Sequence, residues 1–210
     1  MAADIDSFMA TLSTENRHEV RRRLRRLAEV GVVRFRTFKP GDPELDSVLD
    51  PLIEHKKRRF AARGSRSVLH DPRYERFYRQ QAHEHPAARV SCLSVDDDLI
   101  AFDLSYLHGD RLYVVLTSFD ERYASYSPGK VHIYHLIALC HEQGVDVLDF
   151  CLGGERYKME WTDEGVAQTS FIAEGLAGRA FSAAAAVRRG FTATAPHRPP
   201  RAGAPSSPAR

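Results

Sequence analysis

Cysteine is scarce in this sequence, and what there is lies dispersed: Cys92, Cys140 and Cys151 among 210 residues. An odd number without C-x-x-C spacing supplies neither a disulfide framework nor a zinc or redox motif, so all three read as reduced core residues. Any apolar run near the roughly 20 residues that span a bilayer is also missing. The opening residues, with Asp4 and Asp6, lack the basic and apolar layout of a signal peptide. The expected setting is therefore the cytoplasm, without membrane insertion. No internal repeat is visible.

Nor is there a large surplus of one charge. The formal net charge is +2, but Glu174 is the last acid and six arginines follow it. Removing those six from the 30 basic residues leaves 24 against 28 acids, so residues 1–174 carry about −4. A mildly acidic body argues against a nucleic-acid binder, which needs a basic stripe on its folded part. Two basic runs exist, Arg21 to Arg26 and Lys56 to Arg59. Both fall in amphipathic patterns and are expected on solvated helix faces.

The positive signals are periodic. Ser13 or Thr14 can cap a helix in which Val20, Leu24 and Leu27 share a face and Gly31 suits the C′ position. Val33, Phe35 and Thr37 alternate as a strand up to Pro40-Gly41. Leu45, Val48, Leu49, Leu52, Ile53, Lys56 and Phe60 recur at helical spacing, with Pro51 kinking the helix or delaying its start. Residues 71–85 follow as a helix with Tyr74, Phe77, Tyr78 and Ala82 on one side. Short polar connections then separate strands at 89–95, 99–106 and 111–118, the layout of an antiparallel meander.

After Ser127-Pro128-Gly129-Lys130 comes an apolar helix closed by Gly144, then a buried-looking strand over 145–152 that should run parallel to an earlier one. A further strand at 168–173 and a small-residue helix around 177–189 complete the body. The expected division is an N-terminal lead over 1–12, one α/β domain with a mixed central sheet flanked by helices over 13–190, and a disordered Pro-, Ala- and Arg-rich tail over 191–210.

Three segments carry a resemblance: Tyr126 to Val131, Leu148 to Glu155, and Tyr157-Lys158-Met159-Glu160-Trp161. In this order, with these strands and this helix between them, they resemble the CelD-type acetyltransferases of the GNAT fold and, more distantly, the Fem-type aminoacyl ligases. The likeness spans roughly residues 7–175. It implies a GNAT acyltransferase fold and transfer of an acetyl or other acyl group from acyl-CoA to an amine, free or polysaccharide-linked, with no metal. CelD-type proteins generally carry a further, degenerate domain ahead of this one. Its lack here motivates a second reading, a non-catalytic or half-enzyme module that works with another GNAT-like domain or a second copy of itself. Aminoacyl transfer from tRNA is disfavoured by the acidic body.

The resemblance implies that Thr117 and Ser118, ending the 111–118 strand, lie beside the cofactor's pantetheine arm. It also implies that Tyr126, Ser127, Gly129, Lys130 and Val131 hold its pyrophosphate at a helix start, where unpaired N–H groups favour anions. Ser-Pro-Gly is equally the vocabulary of an ordinary helix start. The amine must lose a proton, and Glu155 after Gly153-Gly154 is the first choice of base. Asp149 is the second, or else an anchor for a neighbouring loop. Tyr157 and Lys158 could orient the acceptor or protonate the departing thiolate, and Trp161 could wall the pocket; a surface ion pair for Lys158 and a core position for Trp161 are the plainer alternatives. His132 and His135 lie three apart on the helix without a third ligand, so a packed or solvated face is expected rather than a metal site.

Overall fold

A computed structural model describes residues 4–162, except Arg66 and Gly154, together with Gly165. The chain divides into two compact units, Met1–Glu164 and Gly165–Arg210, and the architecture below is that of the first. The strand expected at 168–173, the helix around 177–189 and the tail lie outside the described residues.

Five strands form one sheet in the order β1 (Val33–Phe38), β2 (Ala88–Val95), β3 (Asp98–His108), β4 (Arg111–Phe119), β5 (Val147–Asp149). The first three pairings are antiparallel, as the short polar connections demand. The last is parallel and is bridged by a helix, so the sheet is mixed as expected.

Helices α1 (Ile5–Thr11) and α2 (Thr14–Ala28) precede β1, α3 (Leu45–Ala62) and α4 (Pro72–Glu84) lie between β1 and β2, and α5 (Pro128–Gln143) joins β4 to β5. Both α3 and α5 pack on β2, β3 and β4 but belong to separate core clusters, which puts them on opposite faces of the sheet. On the α3 face, Leu49, Leu52 and Ile53 meet Val90, Phe102, Leu104 and Leu116. On the other, Leu27 of α2 and Val131 of α5 meet Leu93, Ile100 and Ala101. Leu27, Leu49, Leu52 and Ile53 are wholly buried, each contributing about 1.5–3 kcal/mol.

Local chemistry explains the helix limits. The Ser13 hydroxyl accepts the Asn16 N–H at 3.2 Å and starts α2. Pro51 is carried inside α3, which continues through it. Gly144, with φ +68°, ends α5 in the left-handed conformation open to glycine.

Several expectations need correction. Gly31 does not cap α2, which ends at Ala28; a Cβ there would fall on the Asp96 carboxylate, which would have to shift. The expected 1–12 lead is not overturned; within it Ile5–Thr11 form α1, capped by the Asp4 carboxylate, which accepts the Ser7 N–H at 2.7 Å. Tyr74 and Phe77 are half exposed, and only Tyr78 and Ala82 of the expected α4 stripe pack inward. The strand expected over 145–152 pairs only at Val147–Asp149. There the Asp149 carboxylate accepts the Cys151 N–H at 2.8 Å, and Cys151 takes φ +55°, turning the chain away from the sheet. No helix among the described residues is long and apolar enough to cross a membrane.

Candidate functional site

The shortness of β5 makes the site. It pairs only with Arg111–Tyr113, so β4 runs on from Val114 to Phe119 with no strand partner on that side among the described residues. A register shift opposite Leu104/Ser105 leaves Val115 as an additional residue in β4, and such bulges bend a strand locally. The two chains diverge around a cavity of about 450 Å³. Thr117, Ser118 and Phe119 line one side, Phe150, Tyr157 and Trp161 the other, and the start of α5 its end.

At that end Ser127 holds φ +53°, ψ +54°, a left-handed conformation that costs a non-glycine residue about 1–2 kcal/mol. Its side chain makes no capping bond, Pro128 has no N–H, and the Ser127 carbonyl takes the N–H groups of Lys130 and Val131 at 2.9 and 3.3 Å. Gly129, the second helical residue, offers its N–H outside the helix's own ladder. A Cβ there would touch only the Phe119 ring, at 3.7 Å, so the surface at Gly129 is open.

Five of the seven residues expected to hold the cofactor line this cavity: Thr117, Ser118, Ser127, Gly129 and Lys130. Val131 is instead wholly buried in the core, and Tyr126 packs beside Tyr123 with the Arg26 guanidinium 5.3 Å from its ring. Lys130 is not a free cation. Its ammonium binds Glu160 Oε2 at 2.7 Å and Asn16 Oδ1 at 3.1 Å, tying α5 to α2 and to the turn at Lys158–Glu160.

Of the four residues given catalytic roles, Tyr157 lines the cavity, its phenol beside the Thr117 hydroxyl and its pKa raised by burial. Lys158 is buried; its ammonium donates to the carbonyls of Leu152 (2.8 Å) and Gly153 (3.3 Å) and pairs with Glu155 Oε2 at 2.8 Å. Burial alone would raise the Glu155 carboxyl, but Lys158 and then Lys56 hold it below the usual carboxylate range. Asp149 stands apart, paired with Arg111 at 3.0 Å and anchoring the loop through the Cys151 N–H. Trp161 serves both readings, packing in the core with Met9 and Ile133 while walling the cavity.

Sequence reasoning missed three groups. Lys56 and Arg59, expected on a solvated face, turn inward: the Lys56 ammonium donates to the Thr117 carbonyl at 3.1 Å, and Arg59 lines the cavity with its guanidinium carbon 3.8 Å above the Phe119 ring. Burial, followed by the charge of Arg59, depresses the Lys56 pKa to about 8. Their place on the apolar stripe was the available signal, since Lys56 follows Leu49, Leu52 and Ile53 at helical spacing. The third group is a buried pair, His132 Nε2 with Asp103 Oδ1 at 2.8 Å, of which His132 lines the cavity. His135 stacks on Phe35 at 5.5 Å, its pKa pushed down to about 4 by burial and then by His132. Among the described residues no group of three or more His, Cys, Asp and Glu could hold a metal ion.

A family model described as an acetyltransferase (GNAT) domain matches residues 14–159. A search of the curated proteins returns no match. Among solved structures, the "possible acetyltransferase" of Clostridium difficile 630 superposes with a TM-score of 0.51 at 11% identity, over 68% of this chain and 99% of that one. FemX superposes with a TM-score of 0.50 at 14% identity, over 85% of this chain and 55% of that one. These likenesses support the fold, and the family match covers both the divergence of β4 from β5 and the helix start that ends the cavity. The chain belongs to the GNAT acetyltransferase domain family.

Proposed function

We propose that this chain transfers an acyl group from an acyl-CoA to an amine acceptor in the cytoplasm, as the CelD-type proteins it resembles do. The observation that carries the reading is the convergence of the unpaired half of β4 and the open start of α5 on one cavity. Backbone donors at Gly129 suit the pyrophosphate, and the uncapped Ser127 leaves room for it. Thr117 and Ser118 flank the pantetheine arm, and a backbone N–H of β4 polarises the thioester carbonyl. The amine nitrogen bonds to the carbonyl carbon, the carbon–sulfur bond breaks, and the electron pair leaves on sulfur. Glu155, ionised beside Lys158, takes the proton of the amine through water, and the Tyr157 phenol lining the cavity returns a proton to the thiolate.

Calorimetry with acetyl-CoA and longer acyl-CoAs on the purified chain tests the reading. Gly129→Glu should fold, because nothing but the Phe119 ring is near a Cβ there, and should weaken coenzyme A binding at least about tenfold, or about 1.4 kcal/mol. Unchanged affinity in the folded variant would remove the phosphate assignment.

A further inference from the structure

Positive charge gathers on the α3 side of the cavity, and among the described residues no carboxylate is in hydrogen-bond contact with it. Lys56 donates to the Thr117 carbonyl and, among the described residues, to no acid. Among the described residues the nearest carboxylate to Arg59 is Glu121 Oε1, 3.9 Å from its Nε and too far for a hydrogen bond. That Nε is buried with no hydrogen-bond partner, although the side chain is only 18% exposed. The neighbouring acids are engaged or outside: Glu155 holds Lys158, and Glu121 is 48% exposed. A cation taken out of water without a counter-charge is unfavourable, and two facing each other are more so. Arg59 lowers the Lys56 pKa, and its own is lowered by burial and by Arg63. An anion placed here would relieve both groups. Arg59 is also held for the task, its plane fixed against Phe119 and its planar fork matched to two oxygens of a carboxylate or phosphate.

Arg59 reaches the cavity from α3 and lies over the face of the Phe119 ring, while a Cβ at Gly129 would meet that ring at its edge. The donor's pyrophosphate belongs with the start of α5, so the anion that meets Arg59 comes with the other substrate. We propose that Arg59, backed by Lys56, binds a carboxylate or phosphate carried by the acceptor, and that the preferred acceptors are acidic amines. This rests on the acyl-transfer reading above.

The test has two arms, both on the full chain. In the first, inorganic phosphate and malonate are titrated by calorimetry with and without saturating coenzyme A. Both anions should bind in either case. Arg59→Gln should weaken them at least tenfold, Lys56→Gln by less, and Arg59→Lys should restore part of the loss, with circular dichroism confirming each fold. In the second, acetyl transfer to β-alanine is compared with β-alaninamide, and glucosamine 6-phosphate with glucosamine. The charged member should be favoured at least tenfold in kcat/KM, and Arg59→Gln should erase the preference through KM. Anion binding unaffected by Arg59→Gln, loss of the Arg59-dependent binding when coenzyme A saturates, or equal use of charged and neutral amines would overturn the inference. The binding arm decides even if none of the four amines is turned over. Arg59-dependent anion binding without coenzyme A binding would sink the acyl-transfer reading and leave the anion site standing.

Discussion

Replacing His132 by leucine would strand the Asp103 carboxyl, a wholly buried group whose one side-chain hydrogen bond is to His132 Nε2. Among the described residues Asp103 Oδ2 and His132 Nδ1 have no hydrogen-bond partner, so the bond between Oδ1 and Nε2 is the one the pair relies on. Removing one member of a buried hydrogen-bonded pair of this kind costs about 3–5 kcal/mol. In a chain of this size each kcal/mol moves the melting temperature by about 2–4 °C, so His132→Leu should lower it by roughly 6–20 °C. Asp103→Leu alone should also destabilise, leaving the imidazole unpartnered. Replacing both with leucine removes the unpartnered groups together, and such paired replacements can be nearly neutral. The double variant should therefore melt above the His132→Leu single variant. Urea and thermal unfolding of the four chains closes the cycle. If His132→Leu falls within about 1 kcal/mol of the parent, or if the two single losses simply add, the pair does not fasten α5 to β3 and the reasoning fails.

Lys130→Ala should lower the melting temperature by a few degrees and weaken coenzyme A with little dependence on salt, because it undoes the partly buried contacts to Glu160 and Asn16; a strong salt dependence measured by calorimetry would restore Lys130 as an exposed phosphate contact. His135 loses its proton near pH 4 in the folded chain and near 6.5 when unfolded. Between those values the unfolded state holds the additional proton, so stability should fall as pH drops through the window, by up to about 1.4 kcal/mol per pH unit. His135→Phe, which keeps a ring against Phe35, should flatten that slope in urea unfolding at several pH values, and an unchanged slope would exonerate His135. Glu155→Gln should slow acetyl transfer while leaving coenzyme A affinity within about threefold. With its pKa held low, the acid limb of the parent's rate profile should lie below the usual carboxylate range.

The start of α5 was legible because its punctuation is local: Pro128 can occupy only the first turn, and Gly144 meets the left-handed geometry of the end. The meander was legible for the same reason, from short polar turns between alternating runs. The end of β5 was not. Residues 145–152 look uniformly apolar apart from their aspartates, and what stops the strand is one carboxylate closing on the Cys151 N–H. Asp103 gave no warning either, since its partner lies 29 residues away on another element. The run Lys56 to Arg59 shows how composition misleads: four basic residues in a row look solvated, yet helical rotation sends Arg58 outward and turns Lys56 and Arg59 toward β4.

β4 is an interior strand at one end and a rim at the other. From Val114 onward the side left without a strand partner among the described residues is the kind of template on which a stray strand from a second molecule can grow, and sheet proteins commonly guard such rims with charge. Here the guard is borrowed from a helix: Lys56 occupies the Thr117 carbonyl and Arg59 lies across Phe119. Stripping both charges would leave a bare apolar rim, making edge-to-edge self-association the expected failure during concentration or refolding.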